Sequence, residues 1–401
     1  MSNETPRPVV RLRPKVEPRP FRHGFPWVYA DQLVTDRRTR TLEPGALAVL
    51  EDAERRPLGL VTVNPNSKII ARILDRDPEA DVTQAWLAVR LRQALALRAR
   101  LYDAPFYRLV HAEGDALPGV IIDRFGDLAV IQPNAAWAQV HLAALVDALV
   151  EVTDVSRVVC NGTGRARALE GLPEVTEVLR GTVDGPVPVH MNGATYMADV
   201  LGGQKTGLFF DQRANHAFAA TLVRPGDSVL DVFAHVGGFA LAALAAGAGS
   251  ALAVDSSAPA LTLAEAGAAQ GGMAARLATR RGDAFTVMEA LAAEGARFDM
   301  VVCDPPAFAP SRGALDAGLR AYERVARLAA PLVAPGGFLA LCSCSHAVDL
   351  TAFRTASARG IGRGGRMAQL IRTGFAGPDH PQLPQLAESG YLKAMFWRLD
   401  G

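Results

Sequence analysis

Residues 339–348 read LALCSCSHAV and place Cys342, Cys344 and His346 at alternate positions of one short stretch. Sulfur and imidazole this close together offer four chemistries: a metal site, a disulfide, apolar core, or a nucleophile with a base beside it. A tetrahedral metal needs a fourth ligand, and this spacing is unlike the C-x2-C pairs that grip zinc. Four cysteines (Cys160, Cys303, Cys342, Cys344) in 401 residues do not make a disulfide scaffold, and a reducing compartment keeps such thiols free. Strand alternation sends Cys342 and Cys344 to the same face, so periodicity alone does not choose between core and nucleophile. Cys344 lies nearer the strand end, where a reacting group belongs.

Further upstream, acids recur where strands are expected to end. The stretch LDVFAHVGGF ends a strand at Asp231 and enters a loop with Phe233, Gly237 and Gly238, glycines that let backbone approach a ligand before a helix starts. The next strand ends at Asp255, where a carboxylate can take both hydroxyls of a ribose. A third ends at Asp283, beside the place of an adenine edge, and a fourth runs into Asp304-Pro305-Pro306. An Asp capping the following helix explains any one of them. Three in order before Asp-Pro-Pro point to a nucleoside cofactor. The first loop lacks the G-x-G-x-x-G that seats a pyrophosphate, so S-adenosylmethionine is expected in place of a nicotinamide.

The elements that must position these residues are legible from about residue 186. Strand-like and helix-like stretches alternate up to GGFLALCSCSH, which predicts a doubly wound, largely parallel sheet in an α/β fold, with ligands at the carboxyl ends of its strands. VPVHMNGATYMADV predicts a hairpin about Asn192-Gly193. Residues 1–75 read as short β runs broken by Gly, Pro and Asn, a small barrel or sandwich. DVTQAWLAVRLRQALALRARLY predicts an amphipathic helix with its arginines opposite the apolar face and marks a boundary near residue 76. Residues 76–185 read as a middle α+β domain, with two strands joined by a turn at Phe125-Gly126-Asp127 and a helix over AWAQVHLAALVDALVEV.

At 49% hydrophobic and 21% charged, the chain reads as a folded globular protein. No run approaches the roughly 18 apolar residues of a membrane span, and the polar start has no apolar segment for export, so the cytoplasm is the expected location. Net charge is +1, yet residues 1–40 carry nine Arg and Lys against four acids, a bias that suits a polyanion partner. Only Lys15, Lys68, Lys205 and Lys393 are lysines among 42 basic residues, so arginine is the habitual cation.

Taken together, LDVFAHVGGFALAALAAGA, AVD, GDAF, CDPPAF and CSCSH resemble class I S-adenosylmethionine-dependent methyltransferases, specifically bacterial enzymes that form 5-methylcytosine in large-subunit ribosomal RNA. RHGFPWVYADQL and NPNSKIIARIL resemble that family's N-terminal PUA domain, RLVHAEGDALPGVIIDRFGD its middle domain, and GGQKTGLFFDQRANH its lead-in to the catalytic sheet. The chain departs from the family at His235-Val236, where Tyr-Thr is more usual, and at Cys303. The resemblance implies three domains (1–75 PUA-like, 76–185 middle, 186–401 methyltransferase) and Cys344 as the nucleophile that adds to C6 of a flipped cytosine. Asp304 would hold the base edge. Cys342 is then packed core, and Phe308 either stacks on the base or packs. His346 would assist a proton transfer or bond backbone.

The resemblance further implies that Asp211, Gln212, Asp231, Phe233, Gly237, Asp255, Asp283 and Asp304 bind the cofactor, with no metal. Arg22, Lys68, Lys205 and Arg213 are the expected RNA contacts, with His23 and Trp27 also near that surface, since PUA-like domains hold RNA by shape and phosphate contacts. The partner is large-subunit ribosomal RNA or its precursor particle, and a homodimer stays open. Competing readings are direct methylation of a purine or exocyclic nitrogen, which needs no cysteine, a noncatalytic RNA-binding assembly factor, and a nicotinamide dehydrogenase.

Overall fold

The computed structural model describes residues 7–203 and 207–400. The chain forms two compact units: Met1–Gly185 with Val200–Gly207 and Pro378–Ser389, and Pro186–Asp199 with Leu208–Gly377 and Gly390–Gly401.

The first unit opens with a five-stranded sheet whose spatial order is Val9–Arg11, Ala46–Glu51, Pro57–Val63, Ile69–Asp75, Trp27–Tyr29. A bridge between Leu12 and Leu33, just past the two edge strands, joins those edges. The sheet therefore curls on itself around Leu12, Val28, Leu33, Leu50 and Ile70. A second five-stranded sheet runs Val175–Arg180, Arg157–Gly162, Leu128–Pro133, Val120–Phe125, Phe106–His111. Phe125 pairs with Leu128, so the turn lies at Gly126-Asp127 as expected. Leu60 and Leu74 of the first sheet enter the same core as Leu87, Leu91 and Trp137.

Two expectations for this unit need correction. The helix Gln84–Leu101 forms, but its arginines do not all lie on the solvent face. Arg98 is 0% exposed, and its guanidinium donates to both oxygens of Asp115 at 2.5 and 2.8 Å and to the carbonyls of Arg108 and Asp379 at 2.8 and 2.7 Å. Each guanidinium nitrogen thereby has a partner, which is the condition for burying the charge at all. The single helix expected from Ala136 onward breaks at His141 into Ala136–Val140 and Leu142–Thr153.

The second unit begins with the hairpin Val187–Met191 and Ala194–Ala198. Asn192 and Gly193 both have positive φ, 52° and 73°, the backbone a two-residue turn demands. A seven-stranded sheet follows, its strands here numbered along the chain: β1 (Ser228–Val232), β2 (Ser250–Asp255), β3 (Leu277–Arg281), β4 (Phe298–Cys303), β5 (Val333–Ser343), β6 (Met367–Gly374) and β7 (Lys393–Asp400). Helices α1 (Gly238–Ala245), α2 (Ala258–Gln270), α3 (Ala284–Ala293), α4 (Leu315–Ala329) and α5 (Leu350–Arg363) connect them. The spatial order is β3-β2-β1-β4-β5-β7-β6, with β7 antiparallel to both neighbours and β1 to β5 parallel.

The order reverses between β1 and β4. That is the switch point where connections diverge and leave a crevice outside the strand ends. Register aligns Val232 with Val254 on one side and Cys303 on the other, and Cys303 with Leu341. Asp231, Asp255, Asp304 and Cys344 consequently gather at one edge of the sheet.

Candidate active site

The loop after β1 is bent by its own backbone. Phe233, His235 and Gly237 have φ of 63°, 50° and 78°, two of them residues for which the left-handed region costs energy. Non-glycine strain of this kind persists where the surroundings hold it, and it clusters at functional sites. Part of the hold is visible: Ala234 N–H donates to Val254 O at 3.0 Å, and His235 N–H to Asp255 Oδ2 at 2.9 Å. At Gly237 an added Cβ would stand 3.2 Å from the Ala264 methyl, so both space and φ call for glycine.

Asp231 is 1% exposed. Its Oδ2 accepts from Phe239 and Ala240 N–H, at 3.2 and 2.9 Å, and so caps α1. Its Oδ1 is buried with no hydrogen-bond partner among the described residues. Burial pushes its carboxyl up to about 7, and the Asp255 charge adds to the shift. An orphaned buried oxygen at the switch point fits a donor brought by a ligand.

Asp255 ends β2, its other oxygen accepting from Ser257 N–H at 2.8 Å. Asp283 is exposed and caps α3, accepting from Thr286 N–H and Oγ at 3.0 Å each. Those two bonds hold its carboxyl below the usual range. Asp304 follows β4, half-buried, its N–H donating to Val232 O at 3.2 Å across the switch point. Asp211 and Gln212 are buried; Tyr391 Oη donates to Asp211 Oδ2 at 2.5 Å, and Asn215 Nδ2 to Gln212 Oε1 at 2.7 Å.

Cys160, Cys303 and Cys342 are buried, and Cys344 is partly exposed just past the end of β5. Burial raises the Cys303 and Cys342 thiols, and the nearby Asp304 and Asp231 charges add to it. Thiols so shifted are poor nucleophiles at neutral pH. Ser343 and Ser345, on either side of Cys344, are fully buried. Ser345 Oγ accepts from Ala309 N–H at 3.0 Å and lies 2.7 Å from Tyr322 Oη, tying the turn after β5 to the segment following Asp304-Pro-Pro. Phe308 packs among Tyr322, Phe285 and Phe233, with ring centroids 5.0, 6.3 and 6.4 Å away.

His346 is exposed, with its ring 5.3 Å from that of Tyr391. Tyr391 and Lys393 went unnoticed as site residues in the sequence. The helix α5 and strands β6 and β7 carry no motif, and β7 returns antiparallel into the middle of the sheet. The one available signal was a lysine in an arginine-using chain.

The expected RNA contacts are spread over both units. Arg22 donates to Asp52 Oδ2 at 2.6 Å and Lys68 is exposed, both in the first unit. Trp27 is half-buried, its Nε1 donating to Glu113 at 2.7 Å. Arg213 opens the helix Arg213–Leu222 of the second unit, half-buried. Lys205 lies outside the described residues. Among the described residues no helix is long and apolar enough to cross a membrane.

Comparison with known proteins bears on this geometry. Residues 10–76 match a PUA-like domain and residues 172–397 an S-adenosylmethionine-dependent methyltransferase. A Deinococcus radiodurans protein named ribosomal RNA large subunit methyltransferase is 34% identical, over 98% of each chain. A Cronobacter sakazakii protein named ribosomal RNA large subunit methyltransferase I is 31% identical, over 92% of this chain and 93% of that one. A candidate SAM-dependent methyltransferase structure from Streptococcus mutans superposes with a TM-score of 0.80 over 98% of this chain and all of the other. A second candidate methyltransferase structure, in complex with SAH, also gives 0.80, over 98% of this chain and 99% of that one. At 17% and 18% identity these two likenesses show the fold. The chain belongs to the S-adenosylmethionine-dependent methyltransferases, with a PUA-like domain ahead of the methyltransferase fold, and S-adenosylmethionine is its cofactor.

Proposed function

We propose that the protein methylates C5 of a cytosine in large-subunit ribosomal RNA through a covalent bond between Cys344 and C6. The observation that carries this reading is the contrast among the four cysteines: three are buried, and Cys344 alone is partly exposed, at the strand end beside the Asp304-Pro-Pro segment. The names of the Deinococcus and Cronobacter relatives support the RNA class.

In this reading Asp211, Gln212, Asp231, Phe233, Gly237, Asp255, Asp283 and Asp304 hold the cofactor, with Asp255 taking the ribose hydroxyls. The cofactor supplies a methyl group made electrophilic by its sulfonium. Cys344 Sγ adds to C6 and the C5=C6 electron pair moves to C5, which becomes enamine-like and accepts the methyl. Loss of the C5 proton then re-forms the double bond and expels the thiolate. Asp304 bonds the N3/N4 edge of the flipped base, and as the protonated acid donating to N3 it draws electron density from C6.

Residues 1–75 serve as the PUA-like domain, 76–185 as the middle domain and 186–401 as the methyltransferase, working in the cytoplasm. Arg22, Lys68 and Arg213 contact RNA phosphate, so affinity should fall steeply with salt; titration from 50 to 200 mM salt with no loss of affinity would exclude phosphate contacts as its source.

The deciding experiment supplies labelled S-adenosylmethionine and unmodified large-subunit RNA to the wild type, Cys344→Ala and Cys342→Ala, followed by nucleoside analysis. The expected result is 5-methylcytidine from the wild type and Cys342→Ala, and none from Cys344→Ala. Methylation by Cys344→Ala, or a methylated purine, would replace this reading with direct transfer.

A further inference from the structure

Lys393 is the first residue of β7 and pairs with Ser343 of β5. It is 5% exposed, and its Nζ donates to Ser345 O at 2.7 Å and Val348 O at 2.8 Å. Those two carbonyls belong to the turn that follows Cys344. Among the described residues no carboxylate forms an ion pair with it. A buried ammonium without an anion is costly, and arginine is this chain's usual cation. Both facts ask what the charge is for.

The groups around this strand end sharpen the question. Asp304 follows β4, Asp349 caps α5, Tyr322 projects from α4 onto Ser345 Oγ, and His346 lies against Tyr391. The Asp304 charge opposes ionisation of the neighbouring Cys342 thiol, and Asp349 acts on the same lysine as Cys344. A nucleophile there needs a compensating positive charge, and Lys393 brings one to the same turn. Its proton is held up to about pH 8: burial lowers the ammonium, and the charges of Cys344 and Asp349 raise it. The cation is therefore present wherever the thiolate must form at neutral pH.

We infer that Lys393 is the positioning residue for Cys344, fixing its turn through two carbonyls and holding its sulfur as thiolate. The inference rests on the reading of Cys344 as nucleophile. An ammonium suits the task better than a guanidinium. It is a compact charge that caps two converging carbonyls, where a planar fork would demand a wider acceptor pattern.

The test is alkylation of the folded full-length protein by iodoacetamide across pH 5.5–9.5, with the modified peptide quantified by mass spectrometry. The other three thiols are buried, so the rate reports Cys344. The wild type should reach half-maximal reactivity at least one unit below the roughly 8.5 of a free thiol. Lys393→Met should shift that midpoint up by about one unit or more, the effect of removing an opposite charge at short range, slowing alkylation at pH 7 roughly tenfold. Lys393→Arg should keep most of the depression.

A folded Lys393→Met with the wild-type midpoint would overturn the inference, leaving Lys393 a purely structural pin. So would a wild-type midpoint at or above 8.5, a result that decides the matter even where Lys393→Met does not fold. Neither readout involves RNA. Persistent methylation by Cys344→Ala therefore sinks the nucleophile reading separately.

Discussion

A carboxyl that titrates near neutrality reveals its surroundings, and Asp231 is such a group. Burial raises it to about 7, whereas in an unfolded chain it titrates near 3.9. Between those values the folded protein holds a proton that the unfolded chain has released. Its contribution to stability is thus fully present below about pH 4 and is lost as pH rises through 7. Asp231→Asn keeps a side-chain oxygen for the N–H groups of α1 and removes the titration. From pH 5 to 7, without cofactor, the wild type should lose roughly 2 kcal/mol relative to Asp231→Asn, at about 1.4 kcal/mol per pH unit. Urea midpoints at several pH values measure this, and a difference that stays constant across the range would mean that the carboxyl is ionised throughout.

Between elements, the decisive join is Ser345, where the turn after β5 meets the segment after β4. Its hydroxyl accepts from Ala309 N–H and bonds Tyr322, all in a buried setting. Ser345→Ala leaves the buried Ala309 N–H without its acceptor, an orphan that costs about 1–3 kcal/mol, and leaves the Tyr322 phenol with Ser343 as its remaining hydroxyl partner. The expected loss is roughly 1–3 kcal/mol in urea unfolding. Tyr322→Phe in that background should cost less than it does alone, because the phenol it removes has already lost one of its two serine partners. Equal costs in both backgrounds would show that Ser343, not Ser345, supplies the bond that matters to Tyr322. Sequence made the two segments separately conspicuous, since Asp-Pro-Pro and Cys-Ser-Cys-Ser are dense in chemistry. It could not show the serine joining them, because a hydrogen bond between residues 36 positions apart leaves no local pattern. The same holds for Lys393: hydropathy places it in a strand and says nothing of which carbonyls its ammonium reaches.

Over the whole molecule, the parallel sheet was legible because βα alternation is periodic, and its strand-end acids because they punctuate that period. The helix Gln84–Leu101 was legible as a helix, but its inward arginine was not, because Arg98 pairs with groups distant in sequence: Asp115, and the Asp379 carbonyl 281 residues away. Pro378–Ser389 leaves the chain between β6 and β7 yet folds as part of the first unit. Within that unit Asp379 accepts from Arg108 N–H at 3.0 Å, and its other oxygen lies 2.9 Å from His380 Nδ1. Burial pushes the His111 imidazole down to about 2, and the charge of His380, its ring centroid 4.9 Å away, adds to the shift. Among the described residues, Arg98 is the fully buried guanidinium that bonds this segment. Arg98→Met removes that charge, strands the Asp115 carboxylate and frees the Asp379 carbonyl. Breaking a buried pair from one side costs about 3–5 kcal/mol, so the urea midpoint should fall accordingly. Adding Asp115→Asn should recover part of the loss by removing the stranded charge. If the double variant is instead as unstable as the sum of the two single changes, the pair is not coupled, and the segment is held by its other contacts.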